Sequence, residues 1–248
     1  MLPALDISGP VATLTLRRPK TANRLEPEDL QAIVEHAATV SANREVLVLQ
    51  VRGEGKYFCS GYNIGKLGAS GATATFEDMV NAIEDARPIT IAVLHGGLYG
   101  GATDLALACD FRIGSDAADM FMPAARLGLH YYRRGLERYV SRLGVDTAKR
   151  LFLTAERLDA KAMRACGFLT QLVGPDALEG EVQRLTQTLC GMAPLAALAM
   201  KKHLNRIARG ALDLADLQSD IAAADASDDK REGAAAWAEK RPPRFTGR

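Results

Sequence analysis

The sequence predicts an α/β fold with a mostly parallel sheet, followed by a helical C-terminal region. Short apolar runs alternate with segments of helical periodicity through the first half of the chain. From about Leu136 onward the periodicity is mainly helical. Alternating strands and helices are typical of parallel sheets, because each crossover helix covers a sheet face. With 248 residues, of which 48% are hydrophobic, we expect one main domain with a large core.

The first elements follow from periodicity. Residues 11–16 alternate between apolar and polar side chains and predict a strand, and a helix is expected to begin near Pro27. Residues 46–51 are apolar except for Gln50, which is typical of a strand covered on both faces. A polar, glycine-rich loop is expected over residues 52–71.

Apolar residues at helical spacing begin again at Phe76, and a strand is predicted at 89–94. The glycines at 96–101 lead into an apolar helix at 102–108, which is followed by a strand at 110–113. Further helical segments are predicted near 146–155, 159–166, 178–191, 195–208 and 213–239. We divide the chain into a core at 1–190 and a helical C-terminal region at 191–248, which covers its own core or a neighbouring subunit.

Composition disfavours several classes of protein. The formal net charge is +1, so no broad electrostatic field favours nucleic acid or an anionic membrane. The four cysteines form no CxxC pair and no zinc-ligand spacing with histidine, so we expect reduced thiols and no metal. The first residues lack the features of a signal peptide, and no run of 18 apolar residues occurs. We therefore expect a cytoplasmic protein that acts on a small molecule.

Two glycine turns are the clearest functional signal. Residues 58–63 follow one buried strand, while residues 99–102 follow the next and open a helix. In an open α/β sheet both turns fall beyond the carboxyl ends of strands, where ligands usually bind. A helix N-terminus presents unpaired N–H groups, and two such donors on one oxygen form an oxyanion hole. Each glycine pair alone is more often a simple tight turn.

Several segments together resemble the crotonase (enoyl-CoA hydratase/isomerase) superfamily. They occur in the order of that family and cover nearly the whole chain. They are Arg18-Pro19 with Asn23 and Leu25, the run from Phe58 to Ile64, Gly100-Gly101-Ala102, the run from Ala108 to Ile113, Pro123 through Leu127-Gly128, Leu153-Thr154-Ala155, and the ending from Glu239 to Phe245.

The resemblance implies a spiral of ββα units with a helical C-terminal region, assembled as homotrimers or dimers of trimers. It also implies that the backbone N–H groups of Tyr62 and Gly101 polarise an acyl-CoA thioester carbonyl and stabilise an enolate. Coenzyme A enters as part of the substrate, and no separate cofactor is expected. The substrate- and CoA-binding residues carried over from the resemblance are Ser60, Tyr62, Asn63, Ile64, Gly65, Gly100 and Gly101, with Arg24 and Lys240 as basic candidates for the phosphates.

The sequence departs from the hydratase pattern at both acid/base positions. Hydratases of this family carry two glutamates there, whereas this chain has Asp104 and Ala124. Asp104 is one methylene shorter than glutamate, and Ala124 transfers no proton, so the standard two-carboxylate hydration is disfavoured. Asp104 remains a catalytic candidate, because an acid in an apolar helix is costly to bury without a purpose or a partner. Glu137 or Asp119 are possible replacements for the missing acid.

The loop at 127–135 carries two tyrosines and two arginines where hydratases have small residues. Malonyl-type decarboxylases of the superfamily have a tyrosine at the position of Tyr131, which makes Tyr131 the second catalytic candidate. Arg133 or Arg134 could attract an acidic acyl group, although these arginines and Arg138 are also consistent with a solvated helix start or a subunit contact. The tyrosines are equally consistent with packing and a hydrogen bond to backbone.

Three functions therefore stay open from the sequence. The first is an acyl-CoA enzyme of the hydratase/isomerase type, with decarboxylation as an alternative and thioester hydrolysis behind both. The second is a CoA-binding protein that has lost efficient catalysis. RNA binding, known for some relatives, is disfavoured by the near-neutral charge.

Overall fold

The computed structural model of the chain describes residues 1–66 and 73–248. The strands are β1 (Ala4–Ser8), β2 (Val11–Leu16), β3 (Val48–Gly53), β4 (Ile89–Leu94), β5 (Leu98–Tyr99), β6 (Phe111–Ser115), β7 (Asp119–Phe121), β8 (Leu158–Asp159) and β9 (Gln171–Val173). The helices are α1 (Pro27–Ala42), α2 (Phe76–Asp85), α3 (Gly101–Ala108), α4 (Arg133–Leu143), α5 (Val145–Thr154), α6 (Ala160–Ala165), α7 (Leu178–Cys190), α8 (Pro194–Ala208), α9 (Leu214–Ala226) and α10 (Asp228–Glu239).

The larger sheet has the strand order β1-β2-β3-β4-β6-β9. Strands β1 and β2 pair antiparallel, and all later pairs in this sheet are parallel. All six residues of β4 are buried, as expected for a central strand covered on both faces. The predicted α/β class and the parallel arrangement are therefore confirmed.

A smaller sheet, in the order β5-β7-β8, lies beside the glycine turns. Strand β5 immediately precedes α3, and its Leu98 forms a bridge with Cys59. That bridge joins the turn after β3 to the turn after β4. The sheet arrangement therefore brings the two predicted glycine turns together.

The C-terminal helices are tied to the core by a buried lysine. Lys201 of α8 donates hydrogen bonds to the carbonyl oxygens of Ala86, at 2.7 Å, and Pro88, at 2.5 Å, and forms an ion pair with Asp110 at 3.0 Å. The carboxylate of Asp110 also accepts two hydrogen bonds from Thr90. These contacts fix the first of the three last helices against the start of β4.

The elements differ from the sequence prediction in a few places. Residues 213–239 form two helices and not one, because the Ser227 side chain accepts a hydrogen bond from the backbone N–H of Lys230 and caps α10. Strand β3, which was predicted at residues 46–51, begins two residues later, at Val48. The end of the predicted loop, residues 67–71, lies outside the described residues. Among the helices of the described part of the chain, none is both long and apolar enough to span a membrane.

Candidate active site

The two glycine turns meet at Gly61. Its φ is +89°, and a β-carbon built on it would lie 2.6 Å from the carbonyl oxygen of Tyr99 and 3.1 Å from the backbone nitrogen of Gly101. Real β-carbons do not approach a carbonyl oxygen so closely, so this position requires glycine both for its conformation and for space. The close approach places Tyr62, the next residue, beside the first residue of α3.

Residues 22–26 hold this turn in place through hydrogen bonds. The buried Asn23 donates from Nδ2 to the carbonyl oxygens of Glu54, Tyr57 and Phe58 at 2.8, 2.9 and 3.2 Å. The backbone N–H of Leu25 donates to the Gly61 carbonyl at 2.9 Å. The turn is therefore fixed by hydrogen bonds before any ligand binds.

The backbone N–H groups of Tyr62 and Gly101 have no hydrogen-bond acceptor within residues 1–66 and 73–248. Gly101 is the first residue of α3, so its N–H is one of the donors that a helix leaves unpaired. The positive end of the α3 dipole adds to the attraction for negative charge. Two adjacent, rigid donors without partners are the features that an oxyanion hole requires.

Asp104 lies one turn further along α3 and is completely buried. Its Oδ1 accepts a hydrogen bond from Nη1 of Arg138 at 2.6 Å, and Arg138 is also fully buried. Its Oδ2 accepts hydrogen bonds from the hydroxyls of Tyr131, at 3.0 Å, and Tyr132. Asp104 therefore has the partner that a buried acid needs, and both of its oxygens are occupied.

Arg138 also joins Asp104 to a larger network of charges. Its Nε donates to Glu84 at 2.8 Å, and Glu84 in turn pairs with Arg134 and Arg209. Burial raises the pKa of Glu84, but the hydrogen bonds and charges of Arg138 and Arg134 outweigh it and lower that pKa to about 2. The interpretation of Arg138 as part of a solvated helix start was wrong, because its side chain is inaccessible to solvent.

Four aromatic rings, those of Tyr62, Phe76, Tyr131 and Tyr132, lie around the start of α3 and Asp104. A β-carbon built on Gly101 would lie 2.4 Å from Cζ of Phe76, so this ring rests on the first residue of α3. The Phe76 ring is also adjacent to Tyr62 and Tyr132, with centroids 6.1 and 6.3 Å away. Tyr131 stacks on Tyr132 at 4.8 Å. The sequence analysis used Phe76 only as part of a helical pattern and missed its place beside the glycine turns. The one sequence feature that could have indicated this place is that Phe76 begins the helix after the 52–71 loop.

The remaining predicted binding residues lie on or next to the first turn. The backbone N–H of Ser60 donates to the Ala22 carbonyl at 2.8 Å, and Nδ2 of Asn63 donates to Glu26 at 2.8 Å. Ile64 is half exposed, and Gly65 donates its N–H to the side chain of Asn63 at 3.2 Å.

The two basic candidates for the CoA phosphates are both accessible. Arg24 forms an exposed ion pair with Glu26 at 2.8 Å. Lys240 ends α10, and among the described residues no hydrogen bond or ion pair joins it to Arg24 or to the glycine turns. The structure therefore brings Arg24 close to the first turn through Glu26, but it does not join Lys240 to that turn.

The candidate replacements for a second acid are engaged elsewhere. Glu137 pairs with Arg133 at 2.6 Å on the exposed side of α4, and Asp119 pairs with Arg157 at 2.6 Å and accepts from Tyr99. Ala124 is buried and carries no polar group. Arg134 pairs with both Glu84 and Asp85, so its charge is already compensated.

One group of potential metal ligands lies far along the chain from these turns. His203, Asp216 and Asp220 place ligand atoms within 4.8 Å of one another. Both carboxylates are already paired with Lys202, at 2.8 and 2.5 Å, and Asp216 also pairs with Arg206. Lys202 pairs with both carboxylates and Arg206 with one of them, which disfavours a divalent cation there.

Comparison with known proteins decides the family. The family model described as enoyl-CoA hydratase/isomerase matches residues 6–248. The chain belongs to the enoyl-CoA hydratase/isomerase family. Among similar proteins, the probable enoyl-CoA hydratase echA8 of Mycobacterium tuberculosis is 29% identical over 244 residues, covering 96% of this chain and 95% of the relative. The crotonyl-CoA hydratase of Syntrophomonas wolfei is 28% identical over 250 residues, covering 97% and 96%.

Solved structures give the same result for the fold. An enoyl-CoA hydratase/carnithine racemase from Magnetospirillum magneticum superposes with a TM-score of 0.92 at 26% identity, covering 100% of this chain and 96% of the other. The expected crotonase fold is therefore confirmed, as is membership of an enzyme family that acts on enoyl-CoA.

Proposed function

We propose that the protein binds an acyl-CoA thioester and stabilises its enolate with the backbone N–H groups of Tyr62 and Gly101. The observation that supports this proposal is the close approach of Gly61 to Gly101, next to two backbone N–H groups that have no acceptor among residues 1–66 and 73–248. A backbone donor is fixed before the reaction and favours the oxyanion over the neutral carbonyl. Loss of one such donor typically lowers kcat by about a hundredfold to a thousandfold.

The reaction we assign first is an atypical hydration or isomerisation of an enoyl-CoA. The curated relatives described above are named hydratases, which supports this choice. Hydration adds the oxygen of a water to the β-carbon and one of its protons to the α-carbon. The residues that hold this water differ from the family pattern, because Ala124 has no carboxylate and Asp104 is committed to Arg138.

Decarboxylation of a malonyl-type thioester is the second candidate. It is favoured by one observation: among residues 1–66 and 73–248, the acids considered for proton transfer all have cationic partners. Loss of CO₂ creates the enolate directly and needs no general base in that step.

Product analysis tests these two reactions and the non-catalytic alternative. The purified protein is incubated with crotonyl-CoA and with methylmalonyl-CoA, and the products are identified by mass spectrometry. A crotonyl thioester that gains one water supports the first reaction, and a methylmalonyl thioester that loses CO₂ supports the second. Tight binding without any product would leave a CoA-binding protein and would contradict both enzymatic assignments.

We further propose that the C-terminal helices mediate self-association into a trimer or a dimer of trimers. Large apolar side chains are exposed along α8 and the following helices. They include Met200, Leu204 and Ile207, which lie at helical spacing on one face of α8, and Trp237, which is 88% exposed. Contiguous exposed apolar groups of this size are typical of interfaces. The oligomer is measured by sedimentation, and Leu204→Glu is expected to lower the sedimenting mass.

A further inference from the structure

The two oxygens of Asp104 are fully committed within the protein. Oδ1 accepts from Arg138, and Oδ2 accepts from both tyrosine hydroxyls, while the residue has no exposed surface. Arginine can only donate hydrogen bonds, so the Oδ1 atom of Asp104 is the acceptor in its contact with Arg138. The carboxylate of Asp104 therefore has no exposed surface for a ligand, and the two tyrosine hydroxyls lie against its Oδ2.

Tyr132 is the tyrosine on the side of the oxyanion hole. Its ring contacts Phe76, which rests on Gly101. Tyr131 lies deeper, with its ring against Tyr139 at 6.2 Å and Phe152 at 5.1 Å. The two hydroxyls share one carboxylate oxygen, but among residues 1–66 and 73–248 only the Tyr132 ring of this pair contacts Phe76, which lies on Gly101.

The direction of the Tyr132 hydrogen bond limits what the hydroxyl offers to a ligand. Its proton is donated to Asp104, so the oxygen has only lone pairs left for a ligand. Burial, followed by the charge of Asp104, raises the pKa of Tyr132 above its usual value, so the hydroxyl keeps its proton. Tyr132 is therefore a hydrogen-bond acceptor of fixed direction.

We propose that Tyr132 Oη accepts a hydrogen bond from a donor at the β-carbon of the acyl chain, either a water or a 3-hydroxyl group. Asp104 and Arg138 are then positioning residues that act through Tyr132. This inference rests on the oxyanion hole proposed above, which fixes the thioester carbonyl. It deepens that proposal by naming the residue that holds the donor at the β-carbon.

Proton balance agrees with such a site. In hydration, one hydrogen of the water ends on the α-carbon and the hydroxyl group ends on the β-carbon, so the overall reaction neither consumes nor releases a proton. An acceptor that holds the other hydrogen of this water orients its oxygen toward the β-carbon. A malonyl-type carboxylate has no such hydrogen to donate to the Tyr132 oxygen.

Binding of two matched ligands tests the inference without requiring turnover. The affinities of 3-hydroxybutyryl-CoA and butyryl-CoA, which differ by the 3-hydroxyl group, are measured by titration calorimetry. The protein is expected to prefer 3-hydroxybutyryl-CoA by roughly fivefold to tenfold, the usual worth of one neutral hydrogen bond. Tyr132→Phe is expected to abolish the preference.

Tyr139→Phe is the matched control, because it also removes a buried hydroxyl that bonds to α3, through Thr103, and leaves Asp104 untouched. It is expected to keep the preference. Loss of the preference in Tyr131→Phe but not in Tyr132→Phe would overturn the choice of tyrosine. Equal binding of both ligands by the unaltered protein would overturn the inference and leave the oxyanion hole intact, whereas failure to bind either would overturn the proposed function itself.

The positioning role has a separate readout. The second oxygen of Asp104 is the acceptor that directs the Tyr132 hydroxyl. Asp104→Leu removes that acceptor and frees the hydroxyl to rotate, so the preference is expected to fall toward that of Tyr132→Phe. The same preference in Asp104→Leu as in the unaltered protein would contradict a positioning role.

Discussion

Replacing Arg138 with methionine would leave Asp104 buried without its counter-charge. Arg138 makes four hydrogen bonds: one to Asp104 at 2.6 Å, two to Glu84 at 2.8 and 3.1 Å, and one to Asn81 at 3.1 Å. Both side chains of the Arg138–Asp104 pair are inaccessible to solvent. Breaking a buried pair by removing one partner costs about 3 to 5 kcal/mol.

Glu84 keeps Arg134 and Arg209 as partners, so the loss falls mainly on Asp104. We therefore expect Arg138→Met to lower the free energy of unfolding by about 3 to 5 kcal/mol, or the Tm by roughly 6 to 20 °C for a domain of this size. Thermal unfolding followed by circular dichroism measures the change.

Arg133→Met is the control on the same helix. The Arg133 side chain is 86% exposed and pairs with Glu137 at i,i+4, so its loss is expected to cost less than about 0.5 kcal/mol. If the two variants are destabilised equally, the charge network does not hold Asp104 in the way described.

Three further predictions concern the scaffold. The pKa of Glu84 is lowered to about 2 from an ordinary 4.5. The ionised Glu84 therefore contributes about 3 kcal/mol to the free energy of unfolding above pH 4.5, and this contribution is lost as the pH falls toward 2. A free energy of unfolding that stays constant over this pH range would contradict the prediction. Lys201→Met is expected to lower the free energy of unfolding, measured in urea, by about 3 kcal/mol, because Asp110 loses its counter-charge and two carbonyl oxygens lose a donor. A decrease below about 1 kcal/mol would show that other contacts hold α8. Asn23→Ala is expected to cost at least about 2 kcal/mol of unfolding free energy and to lower kcat, because three carbonyl oxygens of residues 54–58, before the turn at Gly61, lose their donor. An unchanged kcat would refute the supporting role of Asn23.

Periodicity predicted most of the fold because most elements have one buried face. Strand β4 and helix α2 were predicted at or near their observed bounds. Strand β1 was missed, because it lies at the sheet edge and its residues show no alternating burial. The end of α9 was missed because Ser227 interrupts a pattern that looks continuous in the sequence.

The site was predictable only where the backbone determines it. Glycines at 61 and 101 indicated two turns beyond the carboxyl ends of strands, with their convergence as a hypothesis, and the structure brings the turns into contact. The pairing of Asp104 with Arg138 was not predictable, since Arg138 comes from a helix 34 residues later. Ion pairs between distant elements depend on the packing of the helices, which periodicity alone does not specify.

The carbonyl of a bound thioester tests the oxyanion hole most directly. The ¹³C signal of [1-¹³C]butyryl-CoA is recorded free and bound to the protein. Two N–H donors from Tyr62 and Gly101 would polarise the carbonyl, so we expect the bound signal to move downfield. We also expect Gly101→Val, whose side chain would collide with the Phe76 ring, to lose the shift. A bound ligand whose carbonyl signal stays at the free position would contradict the oxyanion hole and the enolate chemistry based on it.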